Sequence, residues 1–235
     1  MSETKVNKSA AEAQQQLNKK EDFVLKYKNL IIGAVVALIV IVAGVLFFNS
    51  HSASKQEKAA TAAAVGQDVY FANGVQYFEA TDFERALKGD STGFVGFLKI
   101  ADEYSSTKTG NLANLYCGLC YAHMNQWQEA ANYLEKYDDC GDMLISPAAL
   151  GALGNAYANL NQMDKAVETL KKAADKADNA ALSPLYLVQA GQILESQGKK
   201  AEALKLYQQV KDMETEAQPT PYTSTIEEYI ERVKE

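Results

Sequence analysis

Two cysteines at C-x-x-C spacing, Cys117 and Cys120, are the side chains in this 235-residue chain whose spacing most directly suggests chemistry. Such a pair exchanges thiols and disulfides when it lies at a helix N-terminus, because the helix dipole lowers the thiol pKa. Here the pair lies inside the helical pattern LYCGLCYAH, with no strand pattern before it. Packing in a helical core is the favoured interpretation, and a disulfide involving Cys140 and redox chemistry are the alternatives.

Other chemistry finds little support in the sequence. The only histidines are His51 and His123, which leave few ways to build a histidine metal site or a histidine-based catalytic centre. The phosphate-binding pattern GxxxxGK[ST], the nucleophile pattern GxSxG and the zinc pattern HExxH do not occur. Acidic pairs such as Asp138–Asp139 and Glu227–Glu228 are interpreted as solvated faces. We therefore predict a protein that is not an enzyme and holds no metal or cofactor.

The composition limits the class of partner. The net charge of −7 and the pI of about 5.0 argue against nucleic acid as a main partner. Hydrophobic residues make up 47% of the chain, enough for a folded core. Three cysteines cannot all pair within one chain, which excludes a disulfide-stapled scaffold.

An uncharged run at residues 30–48, LIIGAVVALIVIVAGVLFF, predicts one transmembrane helix. Its 19 residues approach the length that spans a hydrocarbon core about 30 Å thick. Four lysines precede it closely (Lys19, Lys20, Lys26 and Lys28), so the positive-inside rule predicts a cytoplasmic polar tail at residues 1–29. We expect an uncleaved signal anchor in the inner membrane with the rest of the chain in the periplasm. A cleaved signal peptide is the alternative.

Small residues follow one face of the predicted span. Gly33, Ala37 and Gly44 are spaced at i, i+4 and i+11, which allows close contact with another helix and hence a homo-oligomer. The alternative is that they reflect the ordinary composition of membrane helices.

Beyond the span, helical periodicity continues and the chain repeats itself. Three similar units within residues 111–218 begin at Asn111, Pro147 and Pro184, spaced 36 and 37 residues apart. The segments NQWQ, NQMD and QGKK are predicted turns between a helix A and a helix B in each unit. This pattern predicts an all-α solenoid of stacked hairpins.

The units resemble the tetratricopeptide repeat, a 34-residue helix–turn–helix. The second unit matches the motif at Leu150, Leu153, Gly154, Tyr157, Ala166, Leu170 and Ala173; the first at Gly118, Tyr121, Ala130 and Leu134; the third at Leu187, Gly191, Leu194, Ala203 and Tyr207. Small residues on helix A let helix B approach, and large ones fill the space between hairpins. The first unit departs from the pattern with Cys117 where leucine is usual.

The resemblance also implies a peptide-binding groove lined by helix A. The residues in register are Leu112, Leu115, Leu119, Ala122, His123, Asn155, Asn159, Gln192 and Glu195. Asparagine amides both donate and accept hydrogen bonds, which suits an extended peptide backbone. The basic residues of carboxylate-clamp repeat proteins are absent from these positions, which argues against an acidic C-terminal peptide. The alternative is that these side chains only line a solvated surface.

The flanking regions fit the motif less well. Residues 49–110 are predicted to form a long helix, at 55–79, and a degenerate first hairpin with its partner at 94–104. Residues 81–92 between them are interpreted as a lid or an insertion. At the other end, residues 219–235 are predicted to hold a helix, at 224–233, that covers the last repeat.

In architecture the whole chain resembles the YfgM-like family of ancillary SecYEG translocon subunits, which carry a periplasmic tetratricopeptide domain. That resemblance implies a non-catalytic adaptor that passes exported chains to periplasmic chaperones. A structural scaffold of an envelope complex and a thiol oxidoreductase using Cys117 and Cys120 are the alternatives from other classes. An organellar membrane protein also remains open from the sequence.

Overall fold

The computed structural model describes residues 40–68, 80–91, 93–214 and 219–234. The chain divides into two compact units, Met1–Ser54 and Lys55–Glu235. The predicted tail at residues 1–29 and the first ten residues of the predicted span, residues 30–39, lie outside the described residues.

Helices account for all the regular structure in the described ranges, and no strand occurs there, so the predicted all-α class is confirmed. Residues 40–68 are helical and are labelled α1. The helices that follow are α2 (Ala80–Lys88), α3 (Phe97–Glu103), α4 (Lys108–His123), α5 (Trp127–Leu134), α6 (Ile145–Asn159), α7 (Met163–Ala177), α8 (Ser183–Ser196), α9 (Lys200–Asp212) and α10 (Ile226–Lys234).

In the second unit, consecutive helices pair as α4–α5, α6–α7 and α8–α9, each pair joined by a short turn. These pairs are the predicted hairpins, with α4, α6 and α8 as A helices and α5, α7 and α9 as B helices. The predicted repeat starts, Asn111, Pro147 and Pro184, all fall near the N-terminal end of an A helix. Proline is tolerated there because the first turn of a helix has no internal acceptor for its N–H groups.

The three A–B turns share one backbone geometry. Each has a residue in the left-handed region just after the A helix: Asn125 at φ 58°, Asn161 at φ 60° and Gly198 at φ 74°. The next amide donates back to the carbonyl five residues earlier, at 2.9 Å in all three turns. This is a Schellman-type end, which satisfies carbonyls that the helix leaves open. Glycine and asparagine are the residues that adopt this conformation most readily.

The buried apolar side chains of the second unit form three clusters along the chain. One joins residues of α1–α4 around Phe97 and Ile100, a second joins α4–α6 around Ala130 and Leu134, and a third joins α7–α10 around Tyr207. Each cluster lies between neighbouring elements, which is the pattern of a repeat array rather than of one central core.

The segment at 81–92 differs from its predicted form. Most of it is helix α2, and its Phe83, Ala86 and Leu87 side chains are buried at 6%, 0% and 2% exposure. It is therefore part of the first core cluster, and the interpretation as a lid was wrong. The Phe83–Ala86–Leu87 spacing of i, i+3 and i+4 places these side chains on one face of the helix.

The start of the second unit is fastened to α4 by side chains of α1. Ala59 and Ala63 are buried, and the Gln56 amide donates to the Thr109 hydroxyl at 2.8 Å. Thr107 caps the N-terminus of α4 by accepting from the Gly110 amide at 3.0 Å. The predicted helix at 55–79 is present as far as residue 68, and residues 69–79 lie outside the described residues.

At the C-terminal end, α10 packs against α9. Ile226, Ile230 and Val233 are buried in the third cluster, while Glu227, Glu228 and Glu231 are exposed. A helix with one apolar face and one acidic face covers the last hairpin and presents a polar surface outward.

The described part of the first unit, residues 40–54, exposes large apolar side chains. Val40, Ile41, Val42, Val45, Leu46, Phe47 and Phe48 are between 50% and 76% exposed. No helix among the described residues is long and apolar enough to cross a membrane. Gly33 and Ala37 of the predicted contact face lie outside these residues, and a Cβ at Gly44 would meet no atom within 4 Å.

Candidate functional site

A close helix contact recurs at the same place in each hairpin. A Cβ atom on Gly118 would lie 2.5 Å from Leu134, and one on Gly154 would lie 2.7 Å from Leu170. In the third hairpin the equivalent distance, from Gly191 to the Tyr207 ring, is 2.4 Å. Real Cβ atoms do not approach this closely, so each glycine lets a large B-helix side chain pack directly on helix A.

The other predicted packing residues surround this contact. Ala130, Ala166 and Ala203 of the B helices are 0% exposed, as is Leu170. Leu150, Leu153, Tyr121 and Tyr157 are half-buried and pack against the core clusters. These contacts fix the spacing of the A helices and hence the surface that the A helices present.

Neighbouring hairpins are joined by tyrosines. The Tyr157 hydroxyl donates to a carboxylate oxygen of Glu135 at 2.5 Å, and burial together with this carboxylate raises the Tyr157 pKa to about 12. Tyr186 packs on Gly151, whose Cβ would lie 2.4 Å from the ring. Lys199 of the third hairpin pairs with Asp164 of the second at 2.8 Å. The relative positions of the hairpins are therefore set by specific side chains.

Outward-facing side chains of the three A helices form the candidate binding surface, which we call the A-helix face. On α6 its positions are spaced at i, i+4, i+7 and i+11, which places them on one side of the helix. The equivalent positions on α4 and α8 follow from the repeat spacing, but the two in register with Ala152 are left out, because Tyr116 packs against the first core cluster and the Gln189 amide oxygen is buried. The members are Leu112, Leu119 and His123 on α4; Ala148, Ala152, Asn155 and Asn159 on α6; and Leu185, Gln192 and Ser196 on α8.

Two of the predicted groove residues on α4 belong elsewhere. Leu115 is only 5% exposed and lies in the second core cluster, so it packs the hairpin instead of lining a surface. Ala122 packs against the same cluster and lies outside the register of the face, at the position that Glu195 holds in the third hairpin. Leu112 and Leu119 also pack against this cluster, but they are in register with the face and are only half-buried.

The asparagines of α6 are available to different degrees. Both Asn155 and Asn159 are exposed. The Asn159 amide nitrogen donates to the Asn155 backbone carbonyl at 2.9 Å, while the Asn155 side chain makes no hydrogen bond among the described residues. The Asn155 amide therefore keeps its full capacity to donate and accept.

Gln192 and Glu195, the predicted groove residues on α8, contact α10. The Arg232 guanidinium donates to both Glu195 carboxylate oxygens, at 2.6 and 2.9 Å, and the Tyr207 hydroxyl donates to the same carboxylate at 3.0 Å. Arg232 is the main cause of a lowered Glu195 pKa. The Gln192 amide donates to the Tyr229 hydroxyl at 3.3 Å. Glu195 thus fastens the C-terminal helix and is not free for a ligand.

His123 is stacked against α2. Its ring lies 4.6 Å from the Phe83 ring, centroid to centroid, with the planes 2° apart. Burial lowers its pKa from the ordinary value of 6.5, so the imidazole is neutral near pH 7. This contact makes His123 an edge of the A-helix face that α2 partly covers.

Four members of the face were missed by the sequence reasoning: Ala148, Ala152, Leu185 and Ser196. Ala148 and Leu185 are exposed and occupy the position that Leu112 holds in the first hairpin: Ala148 lies 36 residues after Leu112, and Leu185 lies 37 residues after Ala148. Applying the 36- and 37-residue spacing to every groove position would have predicted these residues. The repeat spacing therefore contained the information needed to find them.

The C-x-x-C pair is enclosed in the first core cluster. Cys117 and Cys120 are both 0% exposed and lie on α4, while Cys140 is exposed in the loop before α6, and all three are free thiols. Burial raises the pKa of Cys117, and it raises the pKa of Cys120 to about 12. Such thiols are poor nucleophiles at neutral pH, which favours the packing interpretation. Within the described ranges, no group of three or more His, Cys, Asp or Glu side chains is arranged to hold a metal ion.

In each of the three hairpins, a glycine on helix A lets a large side chain of helix B pack directly against it. The chain is therefore a helical-repeat scaffold, and its A helices have outward-facing side chains at equivalent positions. A family model described as a tetratricopeptide repeat-like domain matches residues 20–225. The chain belongs to this family, and such domains are typically non-catalytic modules that bind other proteins or peptides. A search of curated proteins found no match.

Proposed function

We propose that the chain is a membrane-anchored, non-catalytic adaptor that binds other polypeptides through the A-helix face. The observation that carries the proposal is the free Asn155 amide, with Leu119 at the equivalent position of the first hairpin and Gln192 at that of the third. An amide that both donates and accepts pairs with a peptide group, while Leu112 and Leu119 of α4 offer apolar contacts on the same face.

Membrane attachment is the second part of the proposal. The exposed apolar side chains at residues 40–48 continue the uncharged run that begins at residue 30. A large exposed apolar surface marks a membrane or protein contact. The lysines before the run favour a cytoplasmic N-terminus, with the repeats on the periplasmic side of the inner membrane. The family match also begins at residue 20, before this run.

The place of action that we propose is the Sec translocon, where the adaptor receives exported chains and passes them to periplasmic chaperones. The support is the architectural resemblance to the YfgM-like family. Anchoring beside an exit site raises the effective concentration of the A-helix face for emerging chains.

Site-specific photo-crosslinking in intact cells tests this proposal. A photoreactive amino acid at Asn155 or Leu119 is expected to capture SecY, exported chains or periplasmic chaperones. The matched control is Gln209, an exposed side chain on helix B of the third hairpin, which is expected to capture none of these.

Three outcomes contradict parts of the proposal. Capture of stable envelope subunits in place of SecY and exported chains assigns the protein to a structural scaffold. Equal capture from Asn155 and Gln209 removes the A-helix face as the binding surface. Full digestion of the repeats by protease added from the cytosolic side overturns the proposed orientation.

A further inference from the structure

The A helices carry few charged side chains, as does α5, whereas the B helices α7 and α9 carry many. Helix α6 carries no charged side chain, α8 carries only Glu195, and α4 carries only Lys108 besides His123. By contrast, 7 of the 15 residues of α7 are charged. The −7 net charge of the chain is therefore carried outside the A helices.

The few titratable groups on the A helices leave the face neutral. Glu195 is paired with Arg232 of α10 at 2.6 and 2.9 Å. The His123 ring is stacked on Phe83 and is neutral near pH 7. Lys108, the first residue of α4, is exposed one turn before Leu112 on the same side of the helix, so it places a positive charge at the N-terminal edge of the face and not among its members. No free charge is left among the members of the A-helix face.

The neutral face has an apolar row and a polar row. Leu112, Ala148 and Leu185 occupy equivalent positions near the N-terminal ends of α4, α6 and α8. Asn159 and Ser196 occupy equivalent positions near the C-terminal ends of α6 and α8, and Asn155 lies between the two rows.

We propose that the A-helix face selects uncharged, extended polypeptide segments with apolar side chains, in preference to acidic or basic segments. This inference rests on the proposed function. A charged side chain placed on this face loses water and finds no partner, which costs binding free energy. Apolar side chains of the bound segment gain free energy when they leave water for the apolar row, and this gain does not depend on counter-ions.

The test uses the full chain in phosphatidylcholine nanodiscs and three fluorescein-labelled peptides, with binding followed by fluorescence anisotropy. The reference peptide has about 12 residues, long enough to cross several helices when extended. It alternates leucine with serine or glycine, and its companions carry two aspartates or two lysines in place of two serines. Empty nanodiscs correct for binding to lipid.

We expect the reference peptide to bind about tenfold more tightly than either charged companion. Its Kd is expected to change less than about twofold between about 50 and about 500 mM NaCl, because no charge pair is screened. Tighter, salt-sensitive binding of the lysine peptide overturns the inference, since it means that the acidic remainder of the domain selects the ligand.

Two matched variants test whether the A-helix face is the source of the selectivity. Leu185→Asp places a carboxylate on the face in the first turn of α8, where a helix tolerates acid well. It is expected to weaken the reference peptide about tenfold and to make the lysine peptide the better ligand. Ala201→Asp is the matched control, an exposed position in the first turn of α9, and it is expected to change neither.

The outcomes separate the two proposals. If none of the three peptides binds, the proposed function itself fails. If all bind equally, or if Ala201→Asp acts like Leu185→Asp, polypeptide binding stands and the selectivity of the A-helix face is refuted.

Discussion

At the scale of single residues, each hairpin depends on a glycine on helix A and an alanine on helix B that admit no larger side chain. A Cβ on Gly154 would lie 3.4 Å from the Ala166 carbonyl as well as 2.7 Å from Leu170. Ala166 itself is 0% exposed. Size and polarity are both restricted here, because the two helix backbones are close and no water reaches the contact.

Replacing Ala166 by Asp is therefore expected to lower the free energy of unfolding by about 3 kcal/mol or more, because it buries a charge with no partner. Urea unfolding followed by circular dichroism measures the loss. Ala201→Asp, at an exposed position of α9, is the control and is expected to stay within about 0.5 kcal/mol of wild type. Wild-type stability in Ala166→Asp contradicts the A–B register.

The three cysteines are expected to differ in reactivity. Iodoacetamide at a pH of about 8 should modify exposed Cys140 in the folded protein and leave buried Cys117 and Cys120 unmodified, since burial raises their pKa. Mass spectrometry reads the sites, and all three should react in urea. A Cys140→Ser variant should show no labelling when folded. Rapid native labelling of Cys120 contradicts its placement in the core.

The sequence predicts some residues of the binding surface and not others. The repeat register places Leu119, Asn155 and Asn159 on helix A without a structure. It does not reveal that Leu115 turns inward or that Glu195 is paired with Arg232. Burial and pairing depend on neighbours distant in sequence, 37 residues away in the case of Arg232. The residue pattern within a single repeat does not reveal this burial or this ion pair.

At the scale of elements, Asp142 organises the start of α6. Its carboxylate accepts from the Leu144 amide at 2.9 Å, from the Ile145 and Ser146 amides, and from the Ser146 hydroxyl at 2.7 Å. Partial desolvation acts to raise the Asp142 pKa, but these hydrogen bonds outweigh it and lower the pKa to about 2.

Replacing Asp142 by Ala is expected to cost about 1 kcal/mol of stability at neutral pH, the usual value of a lost helix cap. Because folding lowers this pKa, the contribution is complete above the ordinary value of 3.8 and disappears as the pH falls towards about 2. Urea titrations at several pH values should show wild type and variant converging in acid. Asp175→Ala, an exposed residue of α7, is the control and should show no loss. A constant difference across pH contradicts the capping role.

Helix α2 shows where element prediction failed. Its sequence ATDFERALK carries Phe83, Ala86 and Leu87 at helical spacing, so the local signal was present. Outside the repeat register, however, nothing in the sequence indicates what such a short helix packs against. The structure supplies the partner, because Phe83 stacks on His123 of α4.

At the scale of the molecule, every core cluster lies within residues 55–235. A chain lacking residues 1–49 is therefore expected to fold as a soluble helical domain when exported with a cleavable signal. Its thermal midpoint should lie within a few degrees of that of the full chain. Circular dichroism tests this, and a spectrum dominated by strand or coil contradicts the repeat assignment.

For the whole molecule, the sequence predicts the hairpins and the proposed anchor well, and the binding partner poorly. Periodicity at 36 and 37 residues predicts the number and order of the hairpins, since each repeats the same glycine contact. The proposed anchor follows from hydropathy and lysine placement alone. Partner identity does not follow, because the repeat residues that are easiest to recognise are those buried between helices.

Because the core is divided into three clusters, local unfolding at one end of the repeat array affects only the nearest cluster. If α10 detaches, Ile226, Ile230 and Val233 leave the cluster around Tyr207, while the side chains around Leu134 and Phe97 keep all their neighbours. Fraying from the C-terminus is thus contained within the last hairpin. A partly unravelled molecule still holds Leu112, Leu119 and Asn155 in place.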